Sequence, residues 1–228
     1  MKSIYIDYRV SDKILSRLLS FGYPVIKIIP DKYIDTSVAS HADMNLLKIN
    51  NKIFATTNVR FENDIQVNRV DTSPINSLYP HDCFLNAVCI GNDFICSKKS
   101  IYTQALDFAE KNNMNIIDVS QGYVKCNICV VSEDEKAIIT EDAGICEKLS
   151  CNGYDVLMLN THCVGLKPYE YGFIGGASGL IDGKLCFTGN ICAHAEYTRI
   201  RDFCEKHSVE LVVLSDEALY DYGSIITV

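Results

Sequence analysis

Cys126 stands where a polar approach meets an apolar run, in Gln121-Gly-Tyr-Val-Lys-Cys-Asn-Ile-Cys-Val-Val131. A thiol in that position is a candidate nucleophile, since the thiolate is the reactive form and an adjacent cation such as Lys125 favours it. The bland alternative is a free cysteine at the start of a strand. His41 and Asp43 form a His-x-Asp pair whose side chains share one face if the segment is extended; the alternative is a hydrogen-bonded turn. His81-Asp82 follows Pro80 in what reads as a tight loop, where Asp82 either holds a cation or closes an Asx-turn. Histidine titrates in the range a general acid and base needs, and aspartates suit a planar fork of N–H donors. A mononuclear metal site from His41, Asp43, His81 and Asp82 has no support in the spacing. Cys126-Asn-Ile-Cys129 spells a CxxC, but on a strand its two side chains would face opposite ways, and no second CxxC completes a zinc site.

Gly175-Gly-Ala-Ser-Gly179 lacks the lysine of a phosphate loop and is not followed by a helical pattern. Close backbone approach is the better reason for its glycines. Ser178 has no nucleophile-elbow setting. His162, His194 and His207 fall in loop or helix contexts and are expected at the surface.

The composition is that of a globular protein that can bury a core without disulfides or metal: 228 residues, 48% hydrophobic, 22% charged. No apolar run nears the ~20 residues that span a bilayer, and the start lacks a signal-peptide stretch, so a cytoplasmic protein with no membrane partner is expected. The eleven cysteines are odd in number and mostly sit in apolar runs, which suits small buried hydrophobes better than a disulfide framework. With a net charge of −8 and no basic cluster beyond Lys98-Lys99, nucleic acid is a poor partner. The acidity mildly favours a small cationic ligand.

The elements that must position these residues repeat. Hairpin patterns run over 46–56, 87–96, 127–140 and 180–188. The last three are each followed by a helix (100–112, 142–151, 194–207) and a returning strand (115–119, 155–159, 210–214). Residues 60–80, with Asp71-Thr-Ser-Pro74, read as loop with a short helix. Asn45, Asn86 and Asn127 each precede a hairpin and are spaced 41 residues apart, with Gly179 in the same place after a longer insertion. A period in this range signals stacked or radial repeats. Strand–strand–helix–strand units fit neither a β-solenoid nor a doubly wound sheet. Radial packing with helices outside accommodates them, giving one α/β domain over 1–228. The N-terminal strand–helix–strand (1–29) and the C-terminal strand (223–228) would jointly complete a fifth, interrupted unit and remove sheet edges.

This plan resembles the pentein fold, a pseudo-fivefold α/β propeller of ββαβ repeats, of the guanidino-group-modifying superfamily. That group includes arginine and agmatine deiminases, dimethylarginine hydrolases and amidinotransferases; ribosome anti-association factors share the fold without catalysis. In His41-Ala-Asp-Met44, Gln121-Gly-Tyr-Val-Lys-Cys126, Tyr171-Gly-Phe-Ile-Gly-Gly-Ala177 and Ser215-Asp-Glu-Ala-Leu219 the chain looks most like an uncharacterised bacterial family of this fold. The resemblance implies that working residues gather where each blade meets the axis. In the register, Cys126 then shares a slot with Met44, Leu85 and Ser178, and His41 with Asp82, Tyr123 and Gly175. It implies attack on a guanidino or similar cationic carbon by Cys126. His41 or His81 would be acid/base, Asp43, Asp82, Lys125 and Ser178 would bind substrate, and no cofactor or metal would be needed. The superfamily's enzymes carry their cysteine in the last blade, whereas residues 205–228 contain none. Either the centre has been rearranged around the pseudo-symmetry, or the chain is a non-catalytic binding or structural protein.

Overall fold

The computed structural model describes residues 2–62, 65–73 and 78–228 and arranges them as a mixed α/β structure of small sheets. Strand β1 (Ile4–Asp7), wholly buried, leads through helix α1 (Asp12–Leu19) to the parallel strand β2 (Val25–Ile28). Helix α1 buries Ile14 and Leu18, one turn apart on a single face. Gly22 follows it with φ +81°, the left-handed conformation that only glycine adopts freely.

Helical turn α2 (Ala42–Asn45) then feeds β3 (Leu46–Ile49), β4 (Lys52–Thr56) and β5 (Val67–Val70). The third sheet is β6 (Val88–Ile90), β7 (Asp93–Cys96), helix α3 (Thr103–Lys111) and β8 (Asn115–Asp118). Helical turn α4 (Val124–Asn127) opens the fourth, made of β9 (Cys129–Ser132), β10 (Ala137–Thr140), α5 (Ala143–Ser150) and β11 (Asp155–Met158). The fifth is β12 (Ser178–Ile181), β13 (Lys184–Phe187), α6 (Tyr197–Lys206) and β14 (Glu210–Val213). In these four the middle strand pairs antiparallel with the strand before it and parallel with the strand after it. The hairpins close where the chain tolerates positive φ, as at Asp182-Gly183 (φ 51° and 75°). Asp142 caps α5, its Oδ1 accepting from the Ile145 N–H at 2.8 Å. Finally β15 (Ile226–Thr227) pairs antiparallel with β1, so the two ends of the chain build one sheet.

Each of five hydrophobic clusters is shared by two sheets. Tyr5 and Ile28 meet Leu46 and Ala55 between the first and second. Phe54 meets Phe94 and Ala105 between the second and third. Ile95 meets Ile138 and Leu149 between the third and fourth. Ile139 meets Phe187 and Ile200 between the fourth and fifth. Ile181 and Cys186 meet Ile6 and Leu18 between the fifth and first. No single sheet covers its own apolar face; each depends on two neighbours.

Several local expectations change. Residues 67–70 form strand β5, paired parallel to β4, although Val67-Asn-Arg-Val70 has too little apolar patterning to announce it. Among the described residues no helix links β4 to β5, and Pro74 of the expected loop lies outside the described residues. His41 and Asp43 do not lie on an extended segment: Ala42–Asn45 is a helical turn. His194 and His207 are buried rather than superficial. His194 Nδ1 accepts from the Glu196 N–H at 3.0 Å, and His207 bridges the Glu135 and Asp155 carboxylates. All eleven cysteines are free thiols, with six buried and Cys151, Cys163 and Cys192 exposed. No described helix is long and apolar enough to cross a membrane.

Candidate active site

The segments that lead into β3, β6, β9, β12 and β15 converge. Asn86 ties three of them together. Its Oδ1 accepts from the backbone N–H groups of Lys125 (2.6 Å) and Cys126 (3.3 Å), and its Nδ2 donates to Cys126 Sγ (3.1 Å), with Met44 Sδ at 3.5 Å. Thus Met44 and Cys126, which share a slot in the repeat, meet at one amide. Asn45 and Asn127 act locally instead, donating to the carbonyls four residues back, of His41 (2.8 Å) and Tyr123 (2.9 Å).

The Cys126 thiol donates to Asp43 Oδ2 at 3.1 Å. The same oxygen accepts from Ser224 Oγ at 2.7 Å, and Lys125 Nζ donates to Ser224 Oγ at 3.2 Å. Burial, reinforced by the Asp43 and Asp221 carboxylates, pushes the Cys126 thiol pKa well up. The free protein therefore holds a neutral thiol. Burial likewise raises the Asp221 carboxyl, against the lowering effect of nearby His41; its oxygens accept from the N–H groups of Phe173 (3.0 Å) and Gly223 (2.8 Å).

His41 lies between two carboxylates, with Nδ1 3.7 Å from Asp221 Oδ1 and Nε2 3.9 Å from Asp7 Oδ2. Asp7 is held by a forked contact from Arg9 and by Ser40 Oγ at 2.7 Å. Both ring nitrogens of His41, and Asp43 Oδ1, are buried and make no hydrogen bond in the described structure. Such orphaned polar atoms are costly in a core and mark where a polar ligand or water is received.

Of these groups, His41, Cys126 and Asp221 lie at the base of a cavity of about 280 Å³, with Asp43 behind the Cys126 thiol. Val38, His41, Met44, Cys126 and Asp221 line its inner end. Tyr123, Leu166, Tyr169, Tyr171 and Phe173 form its walls, with Glu170 at the exposed rim. Tyr123 and Phe173 sit 6.2 Å apart between ring centres, and Tyr171 and Phe173 6.0 Å. Two other hollows are present among the described residues. One of about 700 Å³ beside α1 contains no cysteine or histidine. The other, about 210 Å³, is lined by Lys125 and by β3, β6, β9, β12 and β15, one edge strand from each of the five sheets.

Of the residues singled out from sequence, the structure gathers Cys126, His41 and Asp43, and places Lys125 one hydroxyl away. Asp82 is buried but accepts from Tyr123 OH at 2.6 Å, so it reaches the cavity only through that ring. Burial, then this bond, raises the Tyr123 phenol. His81 lies apart, exposed on a short 3-10 turn. Ser178 Oγ bonds the Gly175 carbonyl at 3.3 Å and neighbours Cys129, which is packed between the fourth and fifth sheets. The CxxC cysteines therefore part company. The glycines of the loop do allow close approach: a Cβ on Gly175 would fall 2.5 Å from the carbonyl oxygens of Lys125 and Cys126, and one on Gly176 2.1 Å from Asp221 Oδ1.

Sequence reasoning missed Asp221, Ser224 and the bracing role of Asn86. The register contains the signal. Matching Leu46 of β3 to Ile226 of β15 puts Ser224 in the Cys126 slot and Asp221 in the His41 slot. Among the described residues no group of three or more His, Cys, Asp or Glu side chains is arranged to hold a metal ion.

The chain matches, over residues 5–226, the family of unknown function DUF6873 and belongs to it. No curated protein matches it in sequence. Its fold is shared with solved guanidine-modifying proteins at low identity. DDAH from Pseudomonas aeruginosa, a Cys-to-Ser mutant complexed with citrulline, is 10% identical with a TM-score of 0.57, over 93% of this chain and 91% of that one. Agmatine deiminase from C. jejuni is 12% identical with a TM-score of 0.54, over 99% and 92%. An amidinotransferase of the saxitoxin biosynthetic pathway from Microseira wollei is 9% identical with a TM-score of 0.57, over 95% and 78%.

Proposed function

We propose that this DUF6873 member is a cysteine-dependent enzyme that cleaves or transfers a C–N bond of a guanidino or similar small cationic nitrogen compound. The observation that carries this is the Cys126 thiol, hydrogen-bonded to Asp43, at the base of an acidic cavity that also receives His41. The five cores shared by successive sheets, and the hollow lined by one edge strand from each sheet, support reading the fold as a pseudo-fivefold propeller whose axis carries the site.

A guanidinium carbon is flat and resonance-stabilised, so attack needs a thiolate and a held cation. The cation lies against Asp221, with Asp43 behind the thiol, and its positive charge offsets the carboxylates that keep the thiol protonated. The thiol proton passes to Asp43 Oδ2 as Sγ bonds to the carbon. The C–N bond then breaks, the departing amine taking a proton from His41. His41 next removes a proton from water, or from an acceptor amine in a transfer reaction, as that nucleophile adds to the carbon and the C–S bond breaks. Sγ regains its proton from Asp43. Asp221 and Asp7 flank the imidazole, 3.7 Å from Nδ1 and 3.9 Å from Nε2. His81, at the surface, takes no part.

Turnover of a panel of guanidines and amidines, followed by release of ammonia or amine, tests the reading. Cys126→Ala and His41→Asn should each lower it by at least about 10³-fold. Tight binding without turnover by the wild-type protein would favour the non-catalytic alternative, which the neutral resting thiol fits.

A further inference from the structure

Resting on the cysteine chemistry proposed above, we infer that the substrate carries no carboxylate and ends in a second cationic group, as an aminoalkylguanidine does. The cavity is polarised from base to rim. Cys126, His41 and Asp221 are at most 3% exposed, whereas Tyr169 and Tyr171 are 48% and 37% exposed with Glu170 between them. Among the described residues, the carboxylates that line it, Asp221 and Glu170, stand at opposite ends, and no lysine or arginine lines it. The nearest cation named in the site, Lys125, directs its amine to Ser224 Oγ and lines the other hollow.

A free amino acid that put its guanidinium at Cys126 would bring its carboxylate to the rim. There it would meet Glu170 and find no lysine or arginine among the described lining residues to pair with. An ammonium in the same place pairs with Glu170, between Tyr169 and Tyr171 in the chain. Between the ends, Tyr123, Leu166 and Phe173 offer apolar and aromatic walls to a methylene chain. The rim belongs to the segment 159–177 between β11 and β12, the longer insertion of the repeat. Tyr169, Glu170 and Tyr171 of the rim are therefore a different piece of chain from the turns that carry His41 and Cys126, while residues 173–176 of the same insertion pack on those turns and on Asp221.

The test is calorimetric titration of the Cys126→Ser protein with agmatine and with arginine, alongside wild-type turnover of both. Agmatine should bind at least about tenfold more tightly than arginine, and Glu170→Lys, an exposed substitution whose folding is checked by circular dichroism, should shrink that ratio by about tenfold. Equal or tighter binding of arginine overturns this inference while leaving the cysteine chemistry standing. An unchanged ratio in Glu170→Lys overturns the role of the rim. If neither compound binds and wild-type protein turns over neither, the inference fails together with the reading beneath it.

Discussion

The Cys126 thiol and the Asp43 carboxylate, 83 residues apart in sequence, lie 3.1 Å apart in the fold, with sulfur as donor. The carboxylate stabilises the protonated thiol, and in the proposed mechanism the pair rests in this form until a cation joins it. Asp43→Asn removes the charge that raises the thiol pKa. It should speed alkylation of Cys126 by neutral iodoacetamide near pH 7 by about tenfold or more, while abolishing turnover. Peptide mass spectrometry of the time course separates the two effects. Slower alkylation in the variant would mean that Asp43 activates the resting thiol instead.

Asn86 holds the turn that presents the sulfur. Asn86→Ala leaves the Lys125 and Cys126 N–H groups without their acceptor in a buried setting. A loss of about 2–3 kcal/mol in urea unfolding is expected, together with a fall in turnover. Full stability in the variant would show that water or a neighbour replaces the amide.

Gly223 turns the chain beside His41. It has φ +69°, and a Cβ there would lie 2.1 Å from the His41 Cβ. Gly223→Ala should cost more than about 2 kcal/mol and disturb the histidine. Gly22→Ala, also at positive φ but with nothing within 4 Å of the new Cβ, should cost only about 1 kcal/mol. Equal costs would mean that backbone conformation, and not the clash with His41, sets the penalty.

Burial raises the Glu141 carboxyl from its ordinary 4.5 to about 7, although Oε2 accepts from the Ile174 N–H at 3.0 Å. Between those values the folded protein holds a proton that the unfolded chain has released. Stability therefore falls as pH rises from about 4.5 to about 7 and levels off above. Glu141→Gln removes this dependence and should gain about 1–3 kcal/mol on wild type at pH 8 relative to pH 5. Urea melts at the two pH values decide it; a pH-independent difference contradicts the assignment.

Much of this architecture is legible in the chain because the hairpins repeat in register and each carries its own turn chemistry. The 41-residue spacing of Asn45, Asn86 and Asn127 located β3, β6 and β9, and with them Cys126, Met44 and His41. Strand β5 was not legible: it is held by pairing with β4, and the polar Asn68 and Arg69 make side-chain bonds to backbone carbonyls of β4 and the turn after it. Asp221 and Ser224 were hidden for a different reason. Their unit is split between the two ends of the chain, so the register needed its last copy counted back from the terminal strand. His81 shows the limit of residue type as a guide. It adjoins buried Asp82, yet the 3-10 turn sends neighbouring side chains in different directions.

The central claim is that a cation at the base of the cavity activates Cys126. The most direct measurement compares labelling by chloroacetamidine, which is cationic, with labelling by neutral chloroacetamide of the same shape, near pH 7. Mass spectrometry of all eleven cysteines follows the sites. The amidine should modify Cys126 at least about tenfold faster than the amide, ahead of exposed Cys151, Cys163 and Cys192, and Cys126→Ala should remove the fast phase. Equal slow rates for the two reagents, spread over the exposed cysteines, would contradict it.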